Sequence, residues 1–109
     1  MKKFVFEIYG GFNPQDLSKE KMKEVMSKWG VWFDSNKGNI VDSGNPFGPN
    51  GMSVTADGAK PIASDMWPAK GYMIMNAIDM GAAVKIAQAC PVLEEGNNAT
   101  VRVYEAMPM

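Results

Sequence analysis

An acid, an indole and a phenol fall within eight residues of one another: Asp65, Trp67 and Tyr72, in the stretch SDMWPAKGY. Such a set suits a small planar or oxygenated molecule. The rings offer faces to stack on, and a carboxylate at the rim of a cleft beside Trp67, partly desolvated, has a raised pKa that fits it for proton transfer. A second occupation is open to Asp65, that of accepting backbone N–H bonds in the turn before a strand. Tyr72, at the start of that strand, either presents its phenol to a ligand or packs with its hydroxyl at the sheet edge. Tyr9 and Tyr104 read in the same two ways. Trp67 lies beside Pro68 in a loop and Asn45 heads the loop NPFGPNG. The candidate ligand-binding residues are therefore Tyr9, Asn45, Trp67 and Tyr72, with Asp65 as the candidate catalytic group.

Other chemistries lack their residues. The chain has no histidine, which removes the usual general base at neutral pH and every Ser-His or Cys-His nucleophile pair. Its single cysteine, Cys90, forms no internal disulfide and belongs to no cysteine metal cluster. Cys90 closes an apolar helical run just before Pro91, where the negative end of the helix dipole disfavours a thiolate, so it reads as packing. Neither a metal nor a cofactor is expected. The loop NPFGPNG has no following Lys-Ser/Thr and opens no helix, unlike a phosphate loop. Eleven basic residues against twelve acidic ones leave a net charge of -1, too little field to attract nucleic acid. The opening MKKFVFEIYGG resembles a secretory leader, but Glu7 interrupts an apolar stretch far shorter than the roughly 7 to 15 residues a leader needs. No run approaches the roughly 18 apolar residues of a membrane helix. A cytoplasmic protein with no membrane or nucleic-acid partner is the expectation.

The elements that must position these residues follow from periodicity. At 109 residues, 46% apolar and 21% charged, the chain is read as one domain, residues 1–109, with one core. KKFVFEIY alternates, Phe4, Phe6 and Ile8 on one face and Val5, Glu7 and Tyr9 on the other, as a strand does. Ser18 is placed to N-cap a helix whose apolar stripe is Met22, Val25, Met26, Trp29 and Phe33, with Trp32 just off it. That helix is expected to close near SNKGN with Gly38 left-handed. NIVDSG gives a short strand, and MSVTA and AKPIAS form a peripheral hairpin around Asp57-Gly58. GYMIMNA alternates again, Asp79 caps a helix with Met80, Ala83, Val84 and Ala87 at core spacing, Pro91 ends it, and ATVRVYEAM is the last strand. The ten methionines are read mostly as core.

This order is two βαβ units around a turn-rich insertion, a ferredoxin-like split βαβ of the α+β class. Both helices must cover one face of an antiparallel sheet. The other face then carries Met, Tyr and Val side chains with nothing in the chain to shield them, and a second copy is the expected cover.

Over nearly its whole length the sequence also resembles the YCII-related, or DGPF-type, family. The likeness is carried by KKFVFEIYGG, by GNIVDSGNPFGPNGMSVTADG, by Asp65 ahead of GYMIMNAIDMGAAVKIAQACPVLEEGNNATVRVYEAM, and by the helix-ending Cys90-Pro91. The resemblance implies a ferredoxin-like domain that dimerises through its sheets into an α+β barrel. Two features depart from the family pattern. In place of Asp-Gly-Pro-Phe and the charged stretch after it, this chain reads DMWPAKGY, keeping Asp65. In place of a Val-Glu-Val-Arg-Pro strand it reads VRVYEA, with Tyr104 at the arginine position. Some members look like small enzymes that use a His-Asp pair, of which only Asp65 is carried over.

Two functions are compatible with these residues. One is a homodimeric module binding a small apolar or aromatic metabolite in the barrel cleft. The other is a cofactor-free lyase or isomerase acting on a small ring compound, with Asp65 as acid/base and Tyr72 orienting the substrate.

Overall fold

Alternation in β1 (Lys2–Tyr9) buries Phe4, Phe6 and Ile8 and leaves Val5, Glu7 and Tyr9 half-buried on the opposite face. The structure, a computed structural model, describes residues 1–62 and 67–109. After a 3-10 turn at Pro14–Asp16 comes α1 (Lys19–Ser35), then β2 (Ile40–Asp42), β3 (Met52–Thr55), β4 (Gly58–Pro61), β5 (Ala69–Ala77), α2 (Met80–Gln88), a 3-10 turn at Pro91–Glu94, and β6 (Thr100–Glu105). Four strands form one sheet in the order β2-β5-β1-β6, each antiparallel to its neighbours. This is the ferredoxin-like α+β arrangement. β3 and β4 form a separate two-stranded sheet whose residues are all exposed.

Both helices lie on one face of the sheet. There Phe4, Phe6, Ile8, Met73, Met75 and Ala77 meet Trp32, Ala83, Ala87, Cys90 and Val92 in one buried cluster. Burying each large apolar side chain is worth roughly 1.5 to 3 kcal/mol before entropy is subtracted. The caps sit where the sequence places them: Ser18 Oγ accepts from the Lys21 amide at 3.1 Å, and Asp79 Oδ1 accepts from that of Ala82 at 2.8 Å.

Four expectations need correction. α1 docks through Trp32, 5% exposed, while Met26 on the expected stripe is 63% exposed. Trp32 wins because the small Ala83 and Ala87 of α2 belong to the same cluster, and because its indole N–H has an acceptor, the Ile86 carbonyl at 3.2 Å. The helix closes on Asn36, whose side-chain amide donates to the Trp32 carbonyl at 2.8 Å, so Gly38 has no left-handed part to play. In the hairpin Thr55 lies opposite Gly58, which puts the two-residue turn at Ala56-Asp57 and makes Gly58 the first residue of β4. In α2, Met80 and Val84 are partly exposed, and Ala83 and Ala87 alone fill the core spacing.

The Cα atoms span 44 × 39 × 20 Å. A thickness of 20 Å accommodates one sheet and one helix layer, each about 10 Å deep. Among the described residues no helix or strand lies over the second face of the sheet. The radius of gyration, 15.0 Å, exceeds the roughly 13 Å typical of a chain this long.

Candidate functional site on the open sheet face

The register assembles the open face row by row. Glu7 stands opposite Tyr72 on one side and Arg102 on the other, and Val5 stands between Ile74 and Tyr104. Tyr9 ends β1 at a bulge, where Ile8 pairs with Gly71 and Tyr9 with Ala69. Bulges of this kind bend a strand and re-aim its neighbours. Two residues ahead of Ala69, the Trp67 ring stacks on Tyr9 with centroids 4.3 Å apart and planes inclined by 23°. The Arg102 guanidinium carbon lies 4.9 Å from both ring centroids, along the flank of the stacked pair. The Tyr9 hydroxyl donates to Glu7 Oε1 at 2.9 Å. Partial burial raises the Tyr9 pKa, with the hydrogen bond to Glu7 and the charge of Glu7 acting in the same direction and Arg102 opposing them. The phenol is therefore a proton donor at neutral pH.

A second group surrounds Tyr72. Its hydroxyl donates to Asp42 Oδ2 at 3.3 Å, and its ring stacks on Phe47 at 5.9 Å between centroids. The other oxygen of Asp42 accepts from the Gly44 amide at 2.8 Å, an Asx-type turn that leads the following loop back along β5. Gly44 has φ +68°, and a Cβ there would stand 1.7 Å from the Tyr72 carbonyl oxygen. Only glycine lets the loop pass so close. Pro46 then bridges to Gly71, and the Phe47 amide donates to the Lys70 carbonyl at 2.8 Å, which seats the Phe47 ring.

Of the residues picked out from the sequence, Tyr9, Trp67 and Tyr72 thus share one face. Asn45 sits in the loop beside it, exposed, with its backbone carbonyl against Gly71. Asp65 lies outside the described residues. The expected gap between the sheet and Trp67 is filled, since the indole lies directly on Tyr9. Glu7, Asp42, Phe47 and Arg102 escaped the sequence reading. Asp42, Phe47 and Arg102 sit far along the chain from the rings they meet, and strand pairing and the loop after β2 bring them together. Alternation had already put Glu7 with Tyr9, and Arg102 with Tyr104, on one face of their strands.

The face is flat. Among the described residues a small concavity of about 40 Å³ lies beside Phe12, and a groove of about 400 Å³ lies between α2 and β6. The groove is lined by Met80, Val84, Leu93 and Val103 among others, has Gln88 and Thr100 as its polar side chains, and has no ionisable group. Among the described residues no three His, Cys, Asp or Glu side chains come together as metal ligands would, and no helix is long and apolar enough to cross a membrane.

The fold and this face together define a ferredoxin-like α+β domain with an uncovered sheet side. Among solved structures, it is similar to 5-chloro-2-hydroxyhydroquinone dehydrochlorinase (TftG) from Burkholderia phenoliruptrix AC1100, in complex with 2,5-dihydroxybenzoquinone. The TM-score is 0.55 and the identity 16%, over 94% of this chain and 93% of that one. At that identity the likeness is one of fold. No family model matches the sequence, and no curated protein matches it.

Proposed function

We propose that the protein is a YCII-related domain, residues 1–109, that pairs with a second copy through its open sheet faces and binds a small apolar or aromatic metabolite between them. The observation that carries this reading is the Tyr9–Trp67 stack beside Arg102, Glu7 and Tyr72 on a face no helix covers. Aromatic walls with a few convergent polar groups are what a small-molecule site consists of, but one sheet face by itself encloses little of any ligand. The second wall comes from the partner, and the site is incomplete without it. The dehydrochlorinase, with a similar fold, is solved around a small ring compound, which supports the ligand class.

Nuclear magnetic resonance with indole and benzyl alcohol as probes tests the reading. Shifts are expected at Tyr9, Trp67 and Tyr72, with the exposed face of α1 unmoved. Shifts confined to the groove between α2 and β6 would place any binding elsewhere and reject this site.

The enzyme named in that comparison also favours a second reading, a cofactor-free lyase or isomerase with Asp65 as acid/base. In it Asp65→Asn abolishes turnover of a ring substrate while leaving ring binding intact.

A further inference from the structure

Among the described residues Arg102 has no ion-pair partner. The ion pairs among the described residues join Lys2 to Glu105, Lys21 and Lys28 to Glu24, and Lys28 to Glu94. Glu7 stands directly across from Arg102, yet it accepts the Tyr9 hydroxyl and makes no ion pair with the guanidinium. Two rings hold Arg102 in place, at 4.9 Å from each centroid, so its forked N–H groups are positioned but unused. Beside it is a second unused donor, because Trp67 Nε1 is buried and has no hydrogen-bond partner. Buried donors are rarely left so, since the loss costs about 1 to 3 kcal/mol. Both donors belong to one corner of the face, the guanidinium carbon 4.9 Å from the Trp67 ring centroid.

The surrounding charges limit which anion fits. Glu7 and Asp42 share the face with Arg102, and the nearest lysine in sequence to this corner, Lys70, is engaged by Asn13 at 2.8 Å. Glu7 stands opposite Arg102 in the strand register, and a carboxylate already on that row opposes a dianion such as a phosphate monoester more than a single negative charge. The planar fork of a guanidinium matches the two oxygens of a carboxylate, and the neighbouring rings match a planar body attached to it.

We propose that the Tyr9–Trp67–Arg102 corner is a subsite for the carboxylate of a small planar monoacid, with Arg102 as the binding residue and Trp67 supplying a second donor. The proposal deepens the reading of the open face as a small-molecule site and rests on it. Arg102 occupies a position of the last strand where the family pattern described above has glutamate, so the preference belongs to this chain.

Benzoate and benzamide have nearly the same shape and differ in charge. Titrating each into the full-length protein, with the Tyr9 and Trp67 resonances as readout, is expected to show benzoate binding about tenfold tighter or more, the difference of one charge-assisted contact. Arg102→Gln removes that gap, and Arg102→Lys restores part of it, because a lysine keeps the charge without the fork. Equal binding of the two probes overturns the carboxylate subsite while leaving the ring site standing. If neither probe perturbs the face, the ring site falls and the subsite with it. An unchanged gap in Arg102→Gln, together with a weakened dimer, assigns the guanidinium to the interface and likewise overturns the proposal.

Discussion

Cys90 is 2% exposed at the foot of α2, and burial pushes its thiol from 9.0 up to about 12, with the charge of Glu95 adding to the rise and a hydrogen bond involving the Val92 backbone opposing it. A raised folded-state pKa means that above pH 9 the unfolded chain releases a proton that the native chain retains, so stability is complete below that pH and falls as pH climbs toward about 12. Urea unfolding at pH 8, 9, 10 and 11 is expected to show this alkaline loss, and Cys90→Ala to make it shallower. Parallel curves for the two proteins would mean that the thiol is not its source. Tyr9, raised above 10.0, adds to the loss at the upper end of the range. That Cys90 is packing could be read from its place in an apolar run before Pro91. That Trp32 and not Met26 is the anchor of α1 could not, since both rows are apolar and the choice depended on the alanines of α2 and on an acceptor at Ile86.

At the scale of elements, the loop from Asp42 to Phe47 depends on one glycine. With φ at +68° and the Tyr72 carbonyl in the way, Gly44→Ala incurs both backbone strain and a collision. Together these are expected to cost about 1 to 3 kcal/mol and to release Tyr72 from Asp42. Thermal unfolding measures the first effect, and the Tyr72 side-chain resonances report the second; an unchanged melting temperature would show that the loop has another path. The β3–β4 hairpin contrasts with this loop. Its residues are all exposed, Met52 at 57% and Val54 at 75%, and an isolated pair of strands is marginal in water. Strand and helix periods, both N-caps and the hairpin were legible because each is a local pattern. The Ala56-Asp57 turn and the Asn36 helix stop were displaced by a residue or two because pairing and capping bonds, made elsewhere, set the ends of elements.

The molecule is only 20 Å thick and more extended than its length predicts, and among the described residues no element covers one sheet side, where Val5, Ile74 and Tyr104 adjoin the aromatic corner. Sedimentation at micromolar concentration is therefore expected to give a dimer, and Ile74→Asp to give a folded monomer, because a carboxylate placed against its symmetry mate opposes association. A well-behaved monomer from the unaltered chain would remove the second wall of the proposed site. Alternation in β1, β5 and β6 was enough to establish a sheet with two unlike faces, and the strand and helix order was enough to put both helices on one of them; such patterns are written between near neighbours in the chain. Which side chains meet on the open face was not written there. Glu7 and Tyr72, or Tyr9 and Trp67, are joined by strand register, a bulge at the end of β1 and a glycine turn, and these arise from pairings between segments distant in sequence.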